Sequence, residues 1–313
     1  MTYERRIIGF IDILGFGQLV LDSEDSSAKF DLIKSVLEKI NSVDDVYGSP
    51  ESFFAHSNYA YLSPTAKKEM DEFYESTKAA AGPRRVRITT FSDSIVFSCS
   101  ADSEGLTDFR YFLTKLLVHT SPFKLLIRGG ITCGSLVHTD ELIFGPAMNN
   151  AYYLESKIAN YPRLVVCKKF EEFIEELGEN TLTALVKHEL IRNENETVSY
   201  IDCLALSTNK VAQNMCGANA YEMLLNEKST IETLIKDAPD DPKVASKLEW
   251  YVEYFNEFLT RTSEVEVVVS HVQGMPLETV LISVSDLRIR IPSHVAVVGP
   301  TCAGASTSRK AKR

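Results

Sequence analysis

The run Phe10-Ile11-Asp12-Ile13-Leu14-Gly15-Phe16 ends an apolar stretch, Arg5 to Asp12, on a carboxylate. Gly15 then lets the chain turn closely past whatever that carboxylate holds. A second carboxylate, Asp93, sits in Phe91-Ser92-Asp93-Ser94, between the strand-like runs Arg85 to Phe91 and Ser94 to Cys99. That spacing predicts a tight hairpin. An Asp at a strand end is by itself more often a turn former than a ligand. If one sheet brings Asp12 and Asp93 together, however, they can converge on divalent ions bound to a triphosphate. Hard cations choose oxygen ligands, and the Ile13 carbonyl offers a third.

Other chemistries find less support. The histidines (His56, His119, His138, His188, His271, His294) show no HxxxH or HExxH spacing and read as ordinary surface or core residues. Ser92 and Ser94 flank an Asp but lack the glycines of a hydrolase elbow, and no GxxxxGK[ST] loop occurs. The net charge of −10, from 43 acidic and 33 basic residues, argues against binding nucleic acid. No apolar run approaches the ~20 residues of a membrane span, and the first residues lack a signal-peptide core. The six cysteines show no close spacing, which makes zinc improbable and fits free thiols in a reducing cytoplasm.

Apolar periodicity predicts the elements that would position the carboxylates. A strand over Arg5 to Asp12 leads to a helix over about Ser26 to Ser42. A polar insertion of about 44–83 follows, with a helix around Pro64 to Thr77. After the hairpin come a helix over about Gly105 to His119, a strand over Lys124 to Cys133, a helix from Pro146 towards Ile158 and a strand over Arg163 to Cys167. This order suits a ferredoxin-like α+β fold, a mixed sheet with helices on one face. Farther on, the pattern predicts a helix at Phe170 to Leu177, a strand at Val198 to Leu206, an amphipathic helix from Val244 to Leu259, and β-rich runs at Val265 to Val272 and Thr279 to Ile291. The expected organisation is a core of 1–168, a C-terminal α/β extension of 169–298 packed on it, and a disordered basic tail of 299–313. The aromatic stretch at Trp250, Tyr251, Tyr254 and Phe255 reads as core or dimer packing.

The motifs resemble those of class III nucleotidyl cyclases. FIDILGF is similar to the family's FxDxxGF, and Ser92-Asp93 to its hairpin Gly-Asp. Gly130-Ile131-Thr132-Cys133-Gly134 resembles its GIxxG strand, and Gly145-Pro146-Ala147-Met148-Asn149-Asn150-Ala151-Tyr152-Tyr153-Leu154-Glu155 its GdaVNlAarLE helix. The four stand in the family's order and cover roughly Arg5 to Cys167. The resemblance implies a class III cyclase catalytic core and a head-to-tail homodimer with two sites at the interface. Asp12, Ile13 and Asp93 would bind two Mn2+ or Mg2+ ions, and Phe10, Gly15 and Phe16 would line the substrate. Asn149 of the other subunit would position the ribose.

The departures are informative. The family's base-reading Lys corresponds to Thr89, and its second base-reading position to Asp140. Its transition-state Arg is replaced by Tyr153, which leaves Arg128 as the first substitute and Lys157 as the second. These features look like the pyrimidine cyclases of Pycsar antiphage systems. They imply conversion of UTP, or alternatively CTP, to the 3′,5′-cyclic monophosphate, a second messenger for a separate cyclic-nucleotide-responsive effector. A divergent adenylate or guanylate cyclase and a catalytically inactive nucleotide-binding scaffold stand as alternatives.

Overall fold

The computed structural model describes residues 2–41, 63–80, 86–192, 198–269 and 278–291. Most of the expected insertion, the basic tail, Cys302 and His56, His271 and His294 lie outside them. The apolar run at the start forms strand β1 (Glu4–Ile13), whose side chains alternate between two buried faces. Helices α1 (Phe16–Asp22), α2 (Ser27–Asn41) and α3 (Pro64–Ala80) follow. The hairpin β2 (Arg87–Phe91) and β3 (Ser94–Ser100) leads to α4 (Ser103–Thr120), which Asp102 caps by accepting from the Gly105 amide at 2.7 Å. Strand β4 (Ile127–His138) continues past the expected Cys133 and turns back as the short β5 (Ile143–Phe144).

Among the described residues β2, β3, β1 and β4 lie side by side in that order, every neighbour antiparallel. The crossovers from β1 to β2 and from β3 to β4 make this the expected ferredoxin-like topology. Helices α2 and α4 of these crossovers pack on one face. There Ile7, Ile11 and Ile13 meet Ile95, Phe97, Phe109, Phe112 and Val36 in the main core. The other face carries a helix as well: α5 (Pro146–Tyr153) packs Ala147 and Ala151 against Ile8, Phe10, Val96 and Leu136. A single π-helical turn, Leu154–Ile158, extends it.

Beyond α5 the chain adds to the same sheet. Strand β6 (Leu164–Val166) pairs with β4 in parallel. Then α6 (Lys168–Glu176), α7 (Thr181–His188), β7 (Leu190–Arg192) and β8 (Ser199–Ile201) follow, with β8 joining β6. The strand expected through Leu206 stops early. Asp202 accepts from the Ala205 amide and starts helix α8 (Cys203–Thr208), because a short apolar run serves either element. Helix α9 (Lys210–Cys216) follows; α10 (Ala220–Lys236) and α11 (Pro242–Thr262) build a second apolar cluster, and β9 (Glu264–Val269) pairs with β10 (Glu278–Ser283). The run expected to stay extended to Ile291 ends at Ser283 and turns through a 3-10 segment, Ser285–Leu287. The aromatic stretch is core: Trp250 stacks on Tyr161 at 5.5 Å, and Tyr251, Tyr254 and Phe255 are buried.

Candidate active site

Alternation along β1 places Arg6, Ile8, Phe10 and Asp12 on the α5 face, because successive strand side chains point to opposite sides. Register then decides which residues share that face. Asp12 sits opposite Ser94 on β3 and Arg128 on β4. Thr89 lies opposite Val96, and Phe91 opposite Ser94. Asp12, Thr89 and Arg128 therefore belong to one surface.

At its Asp12 end, the Ile13 amide donates to the Asp93 carbonyl at 3.0 Å, docking the hairpin turn beside the end of β1 as expected. Ser92 holds φ 58 where the resembled motif has glycine, a left-handed conformation that the two-residue turn demands. Gly15 holds φ 80 at the start of α1, so a side chain at that position would be strained.

Arg128 bridges two carboxylates here. Its Nε donates to Asp12 Oδ2 at 2.9 Å. Its Nη2 stands 2.8 Å from Glu155 Oε1, but off the N–H direction, so that buried oxygen accepts no hydrogen bond. Glu155 is 4% exposed. Burial raises its pKa above the usual carboxylate value; Arg128 opposes the shift, and the negative charges of Asp12 and Asp93 add to it. Three carboxylates thus share one electrostatic neighbourhood. From α11, Lys247 joins them: burial lowers its pKa, Arg128 lowers it further and Asp12 opposes.

Among the described residues no group of three or more His, Cys, Asp and Glu side chains is gathered into a metal cage. The donors present are nevertheless of the right chemistry for a hard divalent cation. Asp12, Asp93 and the Ile13 carbonyl are oxygen ligands, and the unsatisfied Glu155 Oε1 is an acceptor without a donor. A cation would compete with Arg128 for Asp12.

The remaining expected residues fall into three groups. Phe10 is buried and meets Phe91 and Tyr152 edge-on, with ring centroids 6.0 and 5.4 Å away, while Phe16 is buried in the main core. Thr89 hydrogen-bonds His138 at 3.0 Å, and Asp140 lies on the exposed turn just after that histidine. Asn149 is exposed on α5, whereas its neighbour Asn150 faces the sheet and donates to Thr132 Oγ1 at 3.0 Å. Lys157 is exposed and makes no hydrogen bond or ion pair among the described residues, so nothing joins it to the carboxylates.

Sequence reasoning overlooked Glu155, His138 and Lys247. The motif ending in Leu154-Glu155 held the signal for Glu155. His138 and Lys247 carry none, since only the folded sheet and α11 bring them near.

No family model matches the chain, and no curated protein matches it. Among solved structures it is similar to the monomeric guanylyl cyclase domain of the RhoGC fusion protein from the aquatic fungus Blastocladiella emersonii. That likeness covers 64% of this chain and 95% of that one, at 15% identity and a TM-score of 0.37. The strand order and the acidic, arginine-bridged end of the α5 face define the class without it: an α+β, ferredoxin-like chain whose sheet presents clustered carboxylates beside the first hairpin.

Proposed function

We propose that this protein is a nucleotidyl cyclase acting on a pyrimidine nucleoside triphosphate, UTP in preference to CTP. The observation that carries the reading is the hairpin docked on β1, which sets Asp93 beside Asp12 on the face that also carries Thr89. In the reaction the ribose 3′-oxygen bonds to the α-phosphorus as the bond to the leaving pyrophosphate breaks. Asp12, Asp93 and the Ile13 carbonyl would hold two divalent cations, Mn2+ or Mg2+. When bound, such ions lower the pKa of the 3′-hydroxyl and neutralise charge on the triphosphate. Arg128 clamps phosphate oxygens once Asp12 engages cation, and Thr89 with Asp140 reads the base.

The working unit is a homodimer with its sites at the interface. Phe91, Tyr152 and Tyr153 are 45, 54 and 54% exposed around the site, an aromatic rim that a second copy would cover. Asn149, exposed on the same helix, then reaches the ribose in the partner's site. The product serves as a second messenger in antiphage defence, read by a separate effector.

One observation favours an inactive scaffold instead: the guanidinium beside the carboxylates, Arg128, is tied to Asp12. Incubating the pure protein with Mn2+ and each of ATP, GTP, CTP and UTP, with product identification by mass spectrometry, separates the readings. Cyclic UMP alone is the expected result. Cyclic CMP alone would reassign the base, and cyclic AMP or GMP would sink the pyrimidine reading. No cyclic product with any metal would leave the scaffold or a missing activator, which nucleotide-binding calorimetry then separates.

A further inference from the structure

On the same face, away from the carboxylates, four polar side chains from four strands form one chain of hydrogen bonds. Arg6 Nε on β1 donates to Ser98 Oγ on β3 at 2.9 Å, and Arg6 Nη2 donates to the Ser98 carbonyl at 3.1 Å. Ser98 Oγ lies 2.8 Å from His138 Nδ1 at the end of β4, and His138 Nε2 lies 3.0 Å from Thr89 Oγ1 on β2. Arg6, Ser98 and His138 are 6, 0 and 2% exposed, whereas Thr89 is partly open to solvent.

Donor and acceptor inventory sets the direction of this chain. A guanidinium only donates, so Ser98 Oγ accepts from Arg6. Among the described residues the Ser98 hydroxyl hydrogen then has one acceptor, His138 Nδ1. If Nδ1 carried the proton instead, that hydrogen would be buried unpaired, at a cost of about 1–3 kcal/mol. Nδ1 is therefore the acceptor, and Nε2–H donates to Thr89. The groups facing the ring agree with a neutral imidazole. Burial comes first in lowering its pKa to about 4, Arg6 and Arg87 add to the fall, and Asp140 opposes it. Arg87 also donates to the His138 carbonyl. With its oxygen accepting from His138, Thr89 has its hydroxyl hydrogen left to point outward.

We infer that His138, polarised by Arg6 through Ser98, is a specificity-determining positioning residue that presents Thr89 as a hydrogen-bond donor, so that a base is recognised there through an acceptor. On uracil that acceptor is a carbonyl oxygen beside the N3–H, and on cytosine it is N3 or O2. The inference rests on the proposed role of Thr89 in reading the base.

The test uses the full chain with 15N-labelled histidine. NMR identifies which ring nitrogen of His138 carries the proton, with His138→Gln assigning the resonance. We expect Nε2–H in the native protein and a mixture of tautomers in Ser98→Ala. That variant should also raise KM for the preferred triphosphate about tenfold, the value of one hydrogen bond, with kcat changed far less. His138→Gln, whose amide can donate to Thr89, should retain most of the native KM, and His138→Leu should not. Nδ1–H in a native protein that turns over nucleotide would overturn the inference alone. So would a Ser98→Ala variant with unchanged tautomer and KM. Nε2–H in a chain that neither binds nor cyclises any triphosphate would overturn the cyclase reading, and with it the role given to Thr89.

Discussion

Arg128 shows how differently one residue reads in a sequence and in a structure. The resemblance makes it the first substitute for a transition-state Arg, yet it bridges Asp12 and Glu155. A partly buried guanidinium between two carboxylates both holds the ends of β1 and β4 together and offsets charge at an acidic site. Asp93 is partly exposed and lies in a turn, so its loss should leave the fold intact. Asp93→Asn is expected to cut turnover by about 100-fold or more while the melting temperature stays within about 3 °C, as calorimetry on the same preparation will show. Retained turnover would remove Asp93 from the metal set. His138 yields a pH prediction with a definite sign. Its folded pKa of about 4 lies below the ordinary 6.5, so the unfolded chain binds more protons between those values. The stability it contributes is whole above pH 6.5 and is lost as pH falls towards 4. Urea titrations at several pH values should show a steeper acid loss for the native chain than for His138→Gln.

Helix α5 matters to the site through its distance from the sheet. A Cβ on Gly130 would lie 2.3 Å from the Ala151 carbonyl oxygen and 2.4 Å from Leu154 Cβ, so the glycine permits the close approach. Because the obstructing groups belong to a helix packed on the strand, Gly130→Ala should push α5 and Glu155 outward together. We expect a destabilisation of roughly 3 kcal/mol, near the upper end for overpacking, with a larger loss of turnover than stability alone explains. A variant of native stability and activity would show that the helix can yield freely. The strands and long helices of the core were legible because β1 is apolar on both faces and α4 and α11 keep a helical period. The short helices α1, α7 and α9 were not, since one or two turns give too few apolar repeats to distinguish helix from loop; the longer α10 was also missed, although Asn219 and Glu222 form a capping box at its start.

At the scale of the whole molecule, the extension and the expected dimer are two ways of completing one site. Arg163 lies over the rings of Tyr161, Tyr200 and Trp250, tying the segment after the π-turn to β8 and α11. The same helix brings Lys247 towards Arg128 and Asp12, adding a cation from outside the motif-bearing region. If each site takes Asp12 from one subunit and Asn149 from the other, inactive Asp12→Asn and Asn149→Ala chains should complement. Co-expressed in equal amounts they should recover about a quarter of native turnover, because half the dimers are mixed and each has one intact site. No recovery in mixed dimers proven by mass spectrometry would place both residues in the same subunit's site. What the sequence determined by itself was local: the alternation that buries β1, the turn that must carry Asp93, and the order of elements that makes a ferredoxin-like sheet. The tertiary structure alone decided which groups meet, because strand register and helix packing join residues far apart in the chain. Register set Arg128 against Asp12 and closed the run from Arg6 to Thr89 through His138, while packing delivered Glu155 and Lys247.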